Sequence, residues 1–387
     1  MEKYERNKHF IWAEITPQFN TLYYTIFMFK KKQSYLGVDI GTTSIKVVEL
    51  QKVGGKPQLI NYGYSNEAVD FSEKNLQLDI KKSGQVLKKI CADIGAKSKQ
   101  AVAAMPSFSV FSSVLNLSNV GPKEIENAVM LEAKKVIPLD LNEMILDWKL
   151  VNKAGSNPEK GKQEKVKDEK KEDNNTSSIK VLLTGAPKSL VNKYIEIFKI
   201  AELNLLSLET EMFSLVRSLV GSDPSVIAVV DWGAVNTDIA IIENGLPMFS
   251  RSLDTGGIMI TKAITKNLRV DFKRAEQFKL DLNTSQNDKD EQPKIVIETI
   301  SSIINEIKYS FSLFQQENNK KIEKIVLAGG GANLAGLSAY LSSTLNVNVV
   351  LGDPWARVSY PLDLKPVLEE VGSRMAIAVG LALREVD

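Results

Sequence analysis

A chain of 387 residues that is 43% hydrophobic and 25% charged is long enough for two or more globular domains, each with its own core. Its 49 Lys and Arg stand against 47 Asp and Glu, and the resulting charge of +2 gives no long-range field for gathering nucleic acid or anionic lipid. One cysteine (Cys91) and one histidine (His9) exclude a disulfide framework, a zinc centre and a serine–histidine triad, so any chemistry must run on carboxylates, lysines, hydroxyls, backbone amides and a bound metal.

The first apolar stretch, 10–29, is interrupted by Glu14, Pro17, Gln18 and Asn20, too often for a membrane span of ~20 apolar residues. It also lacks the order of regions that marks a secretory signal. Met28, followed by Phe29-Lys30-Lys31-Lys32 and then a strand-like run, is the expected native start. Residues 1–27 are then a start-site artefact or else a poorly ordered tail, and 1–33 is set aside as an extension.

From there strand-like and helical patterns alternate. Strands are predicted at 35–40, 45–50, 101–105, 181–184, 226–231, 239–242, 324–328 and 348–351. Helices are predicted at 85–94, 123–136, 190–201, 212–220, 257–267, 273–280, 295–316 and 335–345. Such alternation predicts an α/β architecture. One segment breaks it: in 156–178 more than half the residues are charged and none is aromatic, so it cannot bury enough apolar surface to offset its ordering entropy and is expected to be a disordered loop. A second polar loop is expected at 283–292.

An internal repeat organises the rest. Val38-Asp39-Ile40-Gly41 and Val230-Asp231-Trp232-Gly233 lie half a chain apart, each ending one apolar run and opening another, with Lys46 and Asp238 in equivalent places. Two related lobes are expected, their turns facing across a cleft. In the first turn Gly41 lets backbone N–H groups approach an anion, Thr42, Thr43 and Ser44 add hydroxyls, Lys46 supplies a point charge and Asp39 can hold a hydrated Mg²⁺. Taken alone, an ordinary hairpin with a polar turn fits as well. The second turn, with Gly233, Asn236 and Thr237, can clamp the same phosphates, Asp231 and Asp238 lying near the metal or an attacking water. A third element, Gly329-Gly330-Gly331-Ala332-Asn333 between an apolar strand and a helix, fits a backbone that a ligand approaches closely.

In this order and spacing, over 34–387, the three elements resemble the actin-like superfamily: two phosphate loops and an adenosine loop. The run from Tyr35 to Leu50, the start at Met28, Ala133 to Pro138 followed by Asp147-Trp148, Gly185-Ala186-Pro187-Lys188, and Phe249-Ser250-Arg251 leading to Gly256-Gly257 are similar to the PilM branch of that superfamily, the type IV pilus assembly proteins related to FtsA. The resemblance implies a two-lobed, ribonuclease H-like fold. Lobe 1 would comprise 34–109 and 204–225, with a β-α-β-β-α subdomain (the SHS2-like 1C) inserted at 110–203. Lobe 2 would comprise 226–262 and 322–387, with a subdomain at 263–321. It further implies ATP with Mg²⁺ between the lobes, weak hydrolysis at most, and Glu211 or Asp238 orienting the water if any occurs. Gly329, Gly330, Gly331 and Asn333 would lie at the adenosine, with Glu276 and Lys279 touching it; without the resemblance those two read as an exposed helix ion pair. The expected partner is the N-terminal cytoplasmic tail of a PilN-like membrane protein, gripped between lobe 1 and the insert. That partner would recruit the chain to the inner face of the cell membrane; pilus motor ATPases and self-association are further partners the resemblance implies, and nucleic acid is not. An FtsA-like filament protein and a small-molecule kinase are the alternatives, the former disfavoured because the sequence stops at 384–387, directly after the last helix. Trp232, Ala234 and Asn236 depart from the family pattern at the second loop.

Overall fold

The computed structural model of the chain describes residues 33–65, 79–118, 120–121, 124–151, 178–284 and 294–387. The N-terminal extension, the charged 156–178 loop and the polar 283–292 loop lie outside those residues except at their edges.

The chain opens as an antiparallel meander, β1 (Ser34–Ile40), β2 (Ile45–Val53) and β3 (Lys56–Tyr64). It then passes through α1 (Ile80–Asp93) to β4 (Gln100–Met105), which lies parallel to β1. An excursion follows through β5 (Phe111–Ser118), α2 (Ile125–Val136), β6 (Met144–Leu150), β7 (Ser178–Pro187) and α3 (Lys188–Ile200). The chain returns in β8 (Asn204–Thr210), parallel to β4. The excursion folds as its own antiparallel sheet, ordered β5-β7-β6, and is the expected β-α-β-β-α insert.

Helix α4 (Glu211–Leu215), extended by a π-helical turn at Val216–Val220, leads into β9 (Ile227–Trp232), β10 (Thr237–Glu243) and β11 (Leu246–Leu253). Helices α5 (Gly257–Leu268), α6 (Phe272–Thr284) and α7 (Lys294–Asn318) precede β12 (Lys324–Ala328), and α8 (Leu337–Leu345), β13 (Asn348–Leu351) and α9 (Lys365–Leu383) close the chain. The two large sheets, β3-β2-β1-β4-β8 and β11-β10-β9-β12-β13, match strand for strand. The repeat inferred from a few residues is thus the repeat of a whole sheet. Its registers place Asp39 opposite Lys46 and Asp231 opposite Asp238.

Four sheet-edge strands account for most of the strands missing from the predicted set: β3, β5, β8 and β11. An edge strand is buried on fewer sides, so its apolar run is broken. Lys56–Tyr64 mixes Gln58, Asn61 and Gly63 into the strand, and β11 carries Pro247, a residue tolerated at sheet edges.

Apolar residues of α1 and α3 cover one face of the first sheet, and those of α5, α7 and α8 cover the second. The sheets meet through α4 and α9, whose Met212, Leu215, Val216, Ala376, Ile377 and Leu381 share one buried cluster with Val102, Val229 and Val326. These two helices join the lobes. Beside them Glu209 of β8, wholly buried, accepts 2.7 Å and 2.9 Å hydrogen bonds from the two Nη atoms of Arg217, and Arg217 Nη1 also donates to the Gly380 carbonyl. A buried, bidentate pair contributes more to fixing this joint than to net stability, because desolvation offsets much of the attraction. No helix among the described residues is long and apolar enough to cross a membrane.

Candidate functional site

The first turn is closed by the Gly41 N–H donating to the Ser44 carbonyl at 3.1 Å. A Cβ at Gly41 would come within 3.1 Å of both that carbonyl and Lys46 Nζ, so the glycine is what lets the lysine lie under the turn. Lys46 Nζ donates to Asp39 Oδ2 at 2.9 Å, with both side chains largely buried. Thr42, Thr43 and Ser44 are half-buried around the turn.

The second turn is built differently. Asn236 Nδ2 donates to Asp254 Oδ1 at 3.1 Å and Thr237 Oγ1 to the Thr255 carbonyl at 2.6 Å, so both side chains brace the turn against the segment leading into α5. The N–H groups of Gly257 and Ile258 donate to the Gly233 and Ala234 carbonyls, which sets the N-terminus of α5 beside the turn. Lys279 reaches the same place: its Nζ donates to Thr261 Oγ1 at 2.9 Å, to Glu276 Oε2 at 2.8 Å and to the Gly257 carbonyl at 3.4 Å. The Lys279 side chain is only 15% exposed, so the pair is a partly buried tie between α6 and the start of α5 rather than a solvated surface contact.

Between the turns lies a group of carboxylates. Glu211 opens α4, and its Oε2 accepts from the Ser107 N–H at 2.8 Å and from the Ser107 hydroxyl at 3.1 Å. Burial raises its pKa well above the ordinary carboxylate range, and the charges of Asp238, Asp39 and Asp231 add to that rise. Asp231 is pushed up to about 7 by burial and by Asp238 and Asp39, with Lys46 opposing. Asp238 is pushed up to about 6 by burial, against the nearby hydroxyls of Ser252 and Ser107. Its Oδ1 is buried with no hydrogen-bond partner among the described residues. Four acids facing one lysine leave a buried negative excess that protons or a cation must neutralise. Among the described residues no three carboxylate, Cys or His groups converge tightly enough to ligate one ion directly. Asp39 and Asp231, one carboxylate from each turn, fit Mg²⁺, which keeps several of its waters and takes few protein carboxylates.

The glycine loop packs onto the second turn. Gly329 has φ +81°, and a Cβ there would lie 2.4 Å from both Asp231 Oδ1 and the Trp232 carbonyl. A Cβ at Gly331 would lie 2.4 Å from Trp232 Cδ1, whereas at Gly330 the nearest heavy atom, Arg374 Cγ, is 3.7 Å away. Two of the three glycines are therefore required by Asp231 and by the fully buried Trp232 indole. The expected helix N-terminus is set back: a 3-10 turn at Gly330–Asn333 intervenes before α8. Asn333 Oδ1 accepts from Ser373 Oγ at 2.9 Å, tying the loop to α9. Arg374, next along α9, lies 5.0 Å over the Tyr64 ring at the end of β3. Ser107 and Arg374 were not among the sequence candidates, since nothing in their local pattern marks them.

A separate shallow, open crevice lies between the insert and lobe 1. It is lined by Asp147, Trp148 and Lys149 of β6, Leu182 and Thr184 of β7, and Glu209, Thr210 and Phe213. Burial, with Arg217 nearby, lowers the Lys149 pKa. Glu209 lines the crevice and Glu211, two residues on, belongs to the carboxylate cluster.

The fold has known counterparts. A solved PilM–PilN type IV pilus biogenesis complex matches with a TM-score of 0.75 at 24% identity, covering 91% of this chain and 98% of that one. The ethanolamine utilization protein EutJ from Carboxydothermus hydrogenoformans matches with a TM-score of 0.52 at 17% identity, covering 91% and 89%. Cell division protein FtsA of Streptococcus pneumoniae is 22% identical over 360 residues, 83% of this chain and 75% of that protein, and FtsA of Enterococcus faecalis is 23% identical over 366 residues, 84% and 79%. The paired sheets, the insert and the crossing helices are thus those of an actin-like fold. With the family description matched continuously across residues 37–386, the chain belongs to the type IV pilus assembly protein PilM family.

Proposed function

We propose that this chain is an ATP-binding adaptor of type IV pilus assembly that grips the cytoplasmic tail of a PilN-like membrane protein. The observation that carries the nucleotide half is the buried carboxylate excess of Asp39, Asp231, Asp238 and Glu211 between two equivalent turns. Lys46 and the backbone at Gly41, Thr42, Thr43 and Ser44 would hold phosphates, joined by Gly233 across the cleft. Asp39 and Asp231 would hold Mg²⁺ through its waters, and Gly329, Gly330 and Gly331 would lie along the adenosine with Lys279 and Glu276 nearby. The metal would supply the positive charge that the cluster lacks. If water attacks, Glu211 or Asp238 would orient it. The lobe boundaries at 109/110, 203/204 and 225/226 belong to the same reading, because they put one turn in each lobe.

The tail would lie in the crevice, where β6 and β8 are both edge strands and offer backbone to an extended peptide. Recruitment to the inner face of the membrane would follow from that contact. Nucleotide would influence the tail only so far as it binds one arrangement of the lobes better than another.

Purified protein is expected to melt several degrees higher with excess Mg-ATP, since a ligand that binds only the folded state adds RT ln(1 + [L]/Kd). Asp39→Ala is expected to lose that gain; equal gains in both proteins would remove Asp39 from the site. The similarity to FtsA keeps a filament reading in play, and co-sedimentation with ATP in the absence of any partner would favour it.

A further inference from the structure

Tyr194 lies on α3, the helix that carries the chain from the insert back to lobe 1, and its side chain is wholly buried. Its ring belongs to the same buried cluster as Ile40, Ile45 and Met105. Ile40 and Ile45 flank the first phosphate turn, and Met105 ends the strand that leads to Ser107, the donor to Glu211. That cluster extends to the base of the first turn, and the ring is part of it. Its hydroxyl is buried and has no hydrogen-bond partner among the described residues. Burial raises its pKa well above the ordinary value, and the charges of Glu211 and Asp39 add to that rise.

A phenol buried for packing alone would be better replaced by phenylalanine, because an unpaired buried hydroxyl costs free energy and returns nothing. The residues around this one suggest what the donor is for. Glu211 and Asp39, whose charges act on it, are acceptors, and a hydrated cation and phosphates between the turns would bring ordered water.

We propose that the Tyr194 hydroxyl is a positioning group of the nucleotide site, donating a hydrogen bond to a water held between it, Glu211 and Asp39 when Mg-ATP is bound. The inference rests on the nucleotide reading above. Within the chain the hydroxyl has no partner among the described residues, and the proposal gives it one in the complex, so its contribution is specific to the bound state. Because α3 continues directly from β7, which lines the crevice, the same water would tie the occupied cleft to the insert.

The test compares wild-type protein with Tyr194→Phe by calorimetric titration of Mg-ATP and by thermal melting with and without nucleotide. Nucleotide-free Tyr194→Phe is expected to melt at or above the wild-type temperature, since it sheds an unpaired hydroxyl. Its Mg-ATP affinity is expected to fall about tenfold, the scale of one hydrogen bond to a charged network. An affinity within twofold of wild type, or an equal loss of melting temperature with and without nucleotide, would overturn the assignment and leave the nucleotide site standing. Absence of Mg-ATP binding by wild type would overturn both.

Discussion

Nucleotide-free protein is expected to become less stable as the pH rises from 5 to 8, and Asp231→Asn to remove much of that loss. Asp231 has a folded-state pKa of about 7 and Asp238 of about 6, against ordinary values of 3.8. Below the ordinary value both folded and unfolded chains are protonated, and the shift has no effect. Between the two values the unfolded chain has released its proton while the folded one keeps it, so raising the pH favours unfolding. Each such group contributes up to about 1.4 kcal/mol per pH unit across its window. The windows run from about 4 to 6 for Asp238 and from about 4 to 7 for Asp231, and each group's share of the loss is complete above its own window. Glu211 adds a term of the same sign. Asparagine at 231 has no proton to lose and also relieves its acidic neighbours. Its melting temperature should therefore exceed that of wild type at pH 8 and converge with it near pH 4, while its gain from Mg-ATP disappears. Parallel profiles for the two proteins would show that these carboxyls are not held protonated.

Gly37→Ala and Gly380→Ala are each expected to cost about 3 kcal/mol or more. A methyl group at Gly37 would lie 2.0 Å from the Ala378 carbonyl oxygen and 2.5 Å from the Ala382 nitrogen. At Gly380 it would lie 2.0 Å from the Ser214 carbonyl oxygen. Neither glycine has a positive φ, so the cost is one of space: strand β1, α4 and α9 approach one another backbone to backbone. No side-chain rotation can relieve it, and the lobes would have to move apart. Gly330→Ala is the control, since its nearest neighbour would be a side-chain carbon 3.7 Å away. Urea unfolding midpoints for the three variants decide the matter; a change below about 0.5 kcal/mol at Gly380 would mean that the crossing is looser than described.

The architecture was legible in the sequence because it is written twice. Asp39-Ile40-Gly41 and Asp231-Trp232-Gly233 each terminate a buried central strand, and a central strand gives an unbroken apolar run. Edge strands β3, β8 and β11 give no such run, since partial exposure admits Gln58, Asn204 and Arg251. At the site, Asp39, Lys46, Asp231 and Asp238 could be paired from the repeat alone, and register places them as equivalents. What could not be read was how polar side chains divide between ligand and scaffold. Asn236, Thr237 and Asn333 sit in the loops but spend their hydrogen bonds on Asp254, Thr255 and Ser373. Ser107 reaches Glu211 from the turn that follows β4, through long-range packing, and Tyr194, on the inner face of a helix, reads as core. The triple glycine was read as room for a ligand, whereas Gly329 and Gly331 also make room for Asp231 and Trp232.

In the proposed complex the cation that arrives with the triphosphate converts these buried acids to their ionised forms. Calorimetric titration of Mg-ATP at pH 6.5, repeated in buffers of different ionisation enthalpy, measures that conversion as protons released per nucleotide bound. Net proton release in wild type, reduced in Asp231→Asn, is the expected result; Mg-ATP binding with no proton release, or none that depends on Asp231, would contradict it.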